Sequence, residues 1–229
     1  MAINKELQKL YSRKWKDFLT MQNLLNATGI SNYSSPLLMC CWEHEYEEVN
    51  SGKKVLFIGQ ETNTWFECGS SLNADSLNQV ISNYEDFDLG NGYNSPFWRF
   101  IKELNSKLNN PEHGSLWTNV NKFGKHGAAG RPDQKVLDLE NSYFNILKDE
   151  LKILNPEAVI FLTGPKYDKD IKNKLGSTRF IQCTEYEPIK FAQVKNRYLP
   201  EKSFRIYHPN YLNYNSLFND YLNKLANLI

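Results

Sequence analysis

The sequence of 229 residues lacks several features that define broad classes of protein. It contains no apolar run of roughly 18 residues, so no membrane-spanning helix is predicted. An excess of charge of one sign is also missing, because 27 Lys and Arg residues are balanced by 26 Asp and Glu residues. A net charge of +1 excludes a strongly polyanion-seeking protein, but it does not exclude a basic strip on one face.

Cysteine is scarce and irregularly spaced. The four thiols are Cys40, Cys41, Cys68 and Cys183, and the adjacent pair has poor geometry for a bridge. The N-terminal segment has neither the apolar stretch nor the small-residue cleavage site of a secretory signal. We therefore expect reduced thiols in a cytoplasmic protein. Metal ligands usually come as two spaced pairs, and the segment from Cys40 to His44 has no second pair, so we expect no metal.

Common nucleotide and hydrolase motifs are absent as well. The sequence has no P-loop, no dinucleotide-binding Gly-x-Gly-x-x-Gly and no serine-hydrolase Gly-x-Ser-x-Gly. Its 41% hydrophobic and 23% charged residues are typical of a globular chain. At about 150 residues per domain, the length predicts a single domain over residues 1–229. Residues 1–50 are predicted to form an N-terminal helical extension of that domain.

Short apolar runs alternate with helical patterns along the chain. Runs such as residues 55–58 and 158–164, bounded by turn residues, are typical of buried strands. The alternation predicts an α/β protein, a three-layer α/β/α sandwich around a central, four-stranded, mostly parallel sheet. Predicted helices cover residues 4–26, 37–48, 96–108, 137–154, 168–175 and 216–229; predicted strands cover 55–58, 116–120, 158–164 and 204–207, with 179–183 and 189–194 as candidates for short extra strands.

Polar residues follow each of the four predicted strands. In an open parallel sheet, ligands bind outside the carboxyl ends of the strands. The first strand is followed by Glu61, and the second ends at Asn119. The third strand ends in a turn at Gly164, and the fourth is followed by His208. The sequence therefore predicts that a carboxylate, an amide, a glycine turn and an imidazole meet at one edge of the sheet.

These segments resemble the motifs of the uracil-DNA glycosylase superfamily. Residues 59–61, Gly-Gln-Glu, are similar to the start of the family's Gly-Gln-Asp-Pro-Tyr, with Glu61 in the Asp position and Thr62 in place of Pro. Residues 118–122, Thr-Asn-Val-Asn-Lys, resemble the Thr-Asn-Val-Val-Lys of one branch. Residues 208–210, His-Pro-Asn, resemble the His-Pro-Ser that follows the last strand.

Further segments add to the resemblance, which covers roughly residues 54–229. Residues 96–98, Pro-Phe-Trp, are similar to the Phe-Trp at a helix start in two branches. Residues 155–157, Asn-Pro-Glu, resemble the run into the family's third strand. One branch holds an iron–sulfur cluster through four Cys, but the spacing here does not reproduce that pattern. The resemblance therefore implies catalysis without a cofactor.

The resemblance also implies a role for each of the central residues. Excision of uracil from DNA breaks an N-glycosidic bond, so the sugar becomes cationic and the base leaves as an anion. Glu61 would stabilise the cation and orient the attacking water, with Asn63 as a substitute holder of the water. His208 would donate a hydrogen bond to the leaving base. The amide of Asn119 suits the Watson–Crick edge of an extruded pyrimidine.

The remaining candidates surround this centre. Base contacts are predicted for Gln60, and stacking contacts are predicted for Trp65 and Phe97 among neighbouring rings. DNA is the expected partner, and the protein is expected to be a monomer. A basic, glycine-rich loop would hold phosphates, and a side chain just after His208 would wedge into the base stack. The predicted DNA contacts are Lys122, Lys125, Arg131, Asn210, Tyr211 and Leu212.

Each of these interpretations has an alternative. Glu61 can cap its turn or pair with a lysine, His208 can be a core histidine, Asn119 can tie down a loop, and the glycine-rich loop can be a plain surface loop. At the level of function, one alternative is a catalytically inactive superfamily member that binds nucleic acid or a nucleotide. Another is a hydrolase that acts on a small molecule at the same edge of the sheet.

Overall fold

Over residues 2–47 and 53–229, the computed structural model shows an α/β fold with six strands in one mixed sheet. The strands are β1 (Val55–Gly59), β2 (Ser115–Asn119), β3 (Ala158–Phe161), β4 (Arg179–Ile181), β5 (Phe191–Lys195) and β6 (Lys202–Ile206). The helices are α1 (Ile3–Asn26), α2 (Glu43–Glu47), α3 (Leu77–Phe87), α4 (Pro96–Lys107), α5 (Gln134–Tyr143), α6 (Leu147–Leu154), α7 (Asp168–Leu175), α8 (Pro209–Tyr214) and α9 (Phe218–Leu228).

The predicted α/β class is confirmed, but the predicted number of strands is wrong. The sheet has the order β2-β1-β3-β6-β5-β4. The four predicted strands form its parallel part, and β5 and β4 extend it as antiparallel strands. Strand β4 has exposed Arg179 and Ile181 on either side of Phe180. Such a strand lacks the continuous apolar run that marks a strand buried on both faces.

Strands β1, β2 and β3 are buried at every position, although β2 lies at one edge of the sheet. Burial of this kind is typical of parallel strands and accounts for the unbroken apolar runs of β1 and β3. In the parallel register, Val55 pairs with Ser115 at one end and Gly59 pairs with Asn119 at the other. This register places the residues that follow β1 beside the last residue of β2.

Helix boundaries depart from the sequence pattern at two places. The predicted helix over residues 137–154 is divided into α5 and α6, because the chain leaves the helical conformation at Phe144. Phe144 and Ile146 are both buried between the two helices, so the apolar spacing continues through the break. Of the predicted helix over residues 37–48, only α2 forms. The segment that begins at Leu37 is not helical, and the backbone N–H of Leu37 donates to Lys122 O. Residue 48 lies outside the described residues.

Two helices were not predicted. Helix α3 follows a short capping segment in which the Asn73 side chain accepts from the backbone of Asp75. Helix α8 begins at Pro209, with the His208 side chain as its N-cap. Helix α3 carries apolar residues at helical spacing, so its sequence would have allowed the prediction, whereas α8 has only six residues, too few to show a helical period. The apolar residues of α3 are Leu77, Val80, Ile81, Tyr84 and Phe87.

Helix α1 is amphipathic, as its sequence predicts, and its buried face packs against α5 and α6. The hydroxyl of Tyr11 on this face donates to Glu150 in α6 and accepts from the backbone N–H of Met39. Among the helices of the described part of the chain, none combines the length and apolar character that crossing a membrane requires.

Candidate functional site

A cavity of about 690 Å³ lies at the carboxyl ends of the parallel strands. Residues 60–66, which follow β1, form one side, and Trp117 and Asn119 of β2 form another. His208, which follows β6, completes this edge. The volume is within the range of pockets that hold small organic molecules, so the cavity is large enough for a nucleobase together with part of its sugar.

Eight of the residues predicted for the site line this cavity. Two others, Lys125 and Tyr211, lie beside it: Lys125 pairs through its backbone with Asn63, and Tyr211 follows Asn210. The eight lining residues are Gln60, Glu61, Asn63, Trp65, Phe97, Asn119, His208 and Asn210.

Aromatic rings form most of the apolar wall. The rings of Trp98 and Trp117 meet edge to face with centroids 4.9 Å apart, and those of Trp65 and Phe87 are 5.1 Å apart. Rings that pack on one another in this way form a rigid surface against which a planar ligand can stack. The full set of lining rings is Trp65, Phe66, Phe87, Tyr93, Phe97, Trp98 and Trp117.

Sequence reasoning missed Phe87, Tyr93 and Trp117 as lining residues. They come from α3, the loop after it and β2, so no local motif joins them. The aromatic content of 14% was the only signal in the sequence.

The carboxylate of Glu61 is held by a tyrosine that the sequence did not reveal. The Tyr167 hydroxyl lies 2.8 Å from Oε1 and 2.6 Å from Oε2 of Glu61 and donates its proton to this carboxylate. Burial raises the pKa of Glu61 above the ordinary carboxyl value, although the Tyr167 hydrogen bond and the positive charge of Arg131 oppose this effect. Tyr167 follows β3 through the turn at Gly164, so it reaches the same edge of the sheet.

Arg131 contacts the ring of Tyr167 and so supports the tyrosine that holds Glu61. Its guanidinium lies over the Tyr167 ring, 5.0 Å from the centroid, and makes two hydrogen bonds to Asp170 of 3.0 and 2.9 Å. A bidentate pair of this type fixes the guanidinium in one plane. The charge of Arg131 is therefore paired with a carboxylate, although its side chain is still 37% exposed, and its contact with a phosphate stays a prediction.

His208 is neutral and oriented by its own helix. Its Nδ1 accepts a hydrogen bond of 3.2 Å from the backbone N–H of Asn210, so the proton of the neutral ring is on Nε2. Burial lowers the pKa of His208 to about 4. The ring also stacks on Phe97, with the centroids 5.3 Å apart and the planes 20° apart. The site therefore contains an uncharged N–H donor at neutral pH.

Asn119 is the last residue of β2, and its amide lies against Gly59. In the orientation that satisfies both ends of the amide, Oδ1 accepts from the backbone N–H of Thr62 at 3.1 Å and Nδ2 donates to Thr118 O at 3.1 Å. One N–H and one lone pair remain for a ligand. A Cβ on Gly59 would lie 2.3 Å from the Asn119 amide, so glycine is required for this close approach.

Two further lining residues differ in their freedom. The Gln60 amide donates to Thr163 O at 2.8 Å, so one of its N–H groups is already used. Asn63 is exposed, and Thr64 beside it has a φ of 51°. A β-branched residue in this left-handed region is strained, and such strain is concentrated at functional sites in proteins.

Two predicted DNA contacts are wrong because the side chains are buried. Lys122 is 1% exposed, and its Nζ lies 2.6 Å from Oε2 of Glu150. Leu212 is buried on the inner face of α8. Lys122 therefore cannot reach a phosphate, and Leu212 cannot enter a base stack.

Neither metal nor disulfide chemistry is indicated by the residues present. Within residues 2–47 and 53–229, no three His, Cys, Asp or Glu side chains are grouped so that they could hold a metal ion. The four cysteines are free thiols, and burial raises the pKa of Cys40 to about 12. A thiol with so high a pKa is a poor nucleophile at neutral pH.

Comparison of the chain with models of protein families and with curated proteins gives no match to either.

Proposed function

We propose that the cavity binds a nucleobase extruded from DNA and that the protein hydrolyses the N-glycosidic bond of that base. The proposed substrate base is uracil or a related damaged base, as the resemblance to the uracil-DNA glycosylase superfamily implies. The fold would then be that superfamily's three-layer sandwich. One observation carries the proposal: Glu61, Asn119 and His208, from three separate strand ends, line a single cavity with aromatic walls.

His208 stabilises the leaving base in this proposal. When the bond breaks, negative charge develops on the base, and a donor aimed at that charge lowers the barrier. The Nε2–H of neutral His208 is such a donor, and its stacking on Phe97 holds the ring in place before the reaction begins. Because the ring is uncharged, closing the cavity around a base does not require a buried charge on His208 to be desolvated.

Glu61 acts on the sugar and on the attacking water in this proposal. Its carboxylate form can stabilise the cationic sugar and accept a proton from the attacking water. The Tyr167 hydroxyl favours that charged form and fixes its orientation. Since burial raises the pKa of Glu61, excision is expected to require a pH above this raised value.

The aromatic wall supplies affinity. Stacking of a base on an aromatic ring contributes about 1 to 3 kcal/mol. The remaining N–H and lone pair of Asn119 supply one hydrogen-bonding contact of each kind to the edge of the base. The Gly59 backbone permits this approach, because no side chain stands between β1 and the amide.

An excision assay with matched variants tests the proposal. Single- and double-stranded oligonucleotides containing uracil are incubated with the protein, and abasic sites are revealed by alkaline cleavage. Replacing His208 by Ala is expected to reduce the rate about a hundredfold or more, and Glu61→Gln is expected to reduce it similarly. Glu112→Gln, an exposed carboxylate outside the cavity, is the control. Absence of excision by the wild-type protein would refute the proposal.

A second candidate is a protein that binds a base or nucleotide without cleaving it. It is favoured by the same contact that orients Glu61, because the Tyr167 hydroxyl lies within 2.8 Å of both carboxylate oxygens. A carboxylate held in this way has less capacity to take a proton from water. Binding of a uracil-containing strand with no excision between pH 5 and about 9 would establish this alternative.

A further inference from the structure

The aromatic rings that reach solvent are concentrated around the cavity. In the described part of the chain, the aromatic side chains among the exposed large apolar residues are Phe66, Tyr93, Tyr211 and Tyr214. Phe66 and Tyr93 line the cavity. Tyr211 and Tyr214 belong to α8, the helix that begins directly after His208. Exposed rings grouped beside a site indicate a binding surface more strongly than scattered ones.

The two α8 tyrosines expose large parts of their rings. Tyr214 is 88% exposed, and Tyr211, one turn earlier, is 46% exposed and packs at a tilt of 31° against Tyr207, with the centroids 4.3 Å apart. Neither hydroxyl has a hydrogen bond to any described residue. The buried side of α8 is formed by Pro209 and Leu212. The free faces of the two rings are therefore available to a ligand.

The charges near the cavity do not favour a phosphate-held duplex. Among the described residues that line the cavity, none is Lys or Arg. Of the three predicted phosphate contacts, Lys122 is buried beside Glu150 and the charge of Arg131 is paired with that of Asp170, which leaves Lys125 as the one whose charge no ion pair among the described residues balances. Duplex binding draws most of its affinity from several phosphate contacts. A single strand can instead be held by stacking of its bases on aromatic rings.

We propose that Tyr211 and Tyr214 form a stacking platform for the bases of single-stranded DNA that flank a base held in the cavity. The inference rests on the proposed function for the base in the cavity, but it concerns the form of the substrate and not the reaction. A single strand also avoids the cost of unpairing and unstacking the target base, about a few kcal/mol in a duplex.

Fluorescence anisotropy with a labelled 12-nucleotide thymine strand tests the platform, because this probe contains no base proposed for excision. The strand alone is expected to bind at least tenfold more tightly than its duplex with adenine. Tyr211→Ala with Tyr214→Ala is expected to weaken single-strand binding by about tenfold or more, since stacking contributes about 1 to 3 kcal/mol per base. Binding is expected to depend weakly on salt, with a logarithmic slope of about 1, because each phosphate contact of a single strand contributes about 0.7.

Two variants serve as controls. Tyr211→Phe with Tyr214→Phe keeps both rings and removes only the hydroxyls, so it is expected to bind like the wild type. Leu24→Ala removes an exposed apolar side chain of α1 outside the cavity and is expected to have no effect. Circular dichroism shows whether each variant is folded.

The inference fails if the duplex binds as tightly as the single strand, if the Ala variant binds normally, or if neither form of DNA binds. These results are distinct from failure of the proposed function. Single-strand binding through the two rings without excision supports the platform and refutes the glycosylase. Excision confined to duplex DNA supports the glycosylase and refutes the platform.

Discussion

At the scale of single residues, the chemistry of the cavity depends on how burial and hydrogen bonding act on Glu61 and His208. Burial disfavours the charged form of each group, so the pKa of Glu61 is raised and that of His208 is lowered to about 4. The Tyr167 hydroxyl partly offsets the effect at Glu61. The site therefore combines a carboxyl group that needs a higher pH to ionise with an imidazole that stays neutral.

Removing the Tyr167 hydroxyl tests this balance. The hydroxyl stabilises the carboxylate, so Tyr167→Phe is expected to raise the pKa of Glu61 further. If the carboxylate is the active form, the rise of excision rate with pH then moves to higher pH. The shift is measured by the pH profile and, independently of activity, by NMR titration of the Glu61 carboxyl carbon. Tyr143→Phe, outside the cavity, is the control. An unchanged titration would contradict the role of Tyr167.

The close approach at Gly59 gives a second prediction at this scale. A methyl group at Gly59 would meet the Asn119 amide at 2.3 Å, so Gly59→Ala is expected to destabilise the protein by about 1 to 3 kcal/mol. Urea denaturation measures the loss. Asn119→Ala removes the group that clashes. Gly59→Ala is therefore expected to cost less free energy of unfolding in the Asn119→Ala background than in the wild type. Strict additivity of the two changes would show that the contact is not the cause.

At the scale of elements, a histidine outside the cavity ties several segments together. His113 Nδ1 lies 3.0 Å from Glu45 of α2, and Nε2 lies 2.7 Å from Asp88 at the end of α3. Its ring stacks on Trp42, with the centroids 4.3 Å apart. Burial opposes the charged form of His113, but the two carboxylates outweigh it, so the pKa of His113 is raised. Phe87, which precedes Asp88, lines the cavity, so this contact also supports the aromatic wall.

This contact predicts a pH dependence of stability. Because the folded pKa of His113 is raised, its contribution is fully present below the unfolded value of about 6.5 and is lost as pH rises through the folded pKa. His208 acts in the opposite direction, since its lowered pKa makes the fold less stable below about pH 6.5. The difference in free energy of unfolding between wild type and His113→Gln isolates the His113 contribution. It is expected to shrink between pH 6 and pH 9; a constant difference would contradict the contact.

At the scale of the whole molecule, a buried ionic network joins elements that are distant in sequence. Lys122 after β2 pairs with Glu150 of α6 at 2.6 Å, and Glu150 accepts from Tyr11 of α1. Glu140 of α5 accepts from the backbone of Lys122 and pairs with Lys174 of α7 at 2.6 Å. Both lysines and both glutamates are buried, so their charges balance inside the protein. The network ties the turn that follows Asn119 to α1, α5, α6 and α7.

Removing one charge from this network is expected to be costly. Glu150→Gln keeps the shape of the side chain but leaves Lys122 buried without its nearest counterion, and breaking such a pair costs about 3 to 5 kcal/mol. The measurement is the free energy of unfolding in urea at pH 7. Glu6→Gln breaks the largely exposed pair with Lys9 and is expected to cost under about 1 kcal/mol. Equal small losses in both variants would show that the buried network does not stabilise the fold.

Much of the fold was predictable from local patterns. The apolar runs of β1 and β3 and the spacing of α1 and α7 identify elements that bury a face or a whole strand. The division between α5 and α6 was not predictable, because Phe144 and Ile146 stay apolar through the break. Residues 179–183 and 189–194 were predicted only as candidates for short extra strands, and they contain most of β4 and β5; β4 gives a weak signal because two of its three residues are exposed.

The sequence by itself placed the four parallel strands to within three residues, and it determined that Glu61, Asn119 and His208 follow or close three of them, because runs of apolar residues and the polar residues after them are local properties of the chain. Only the tertiary structure decided the charge and the freedom of the polar groups. Tyr167 contacts Glu61 across 106 positions, and Lys122, which follows β2, is buried against Glu150 of α6. Burial and pairing depend on side chains brought together from distant segments, and no local pattern encodes them.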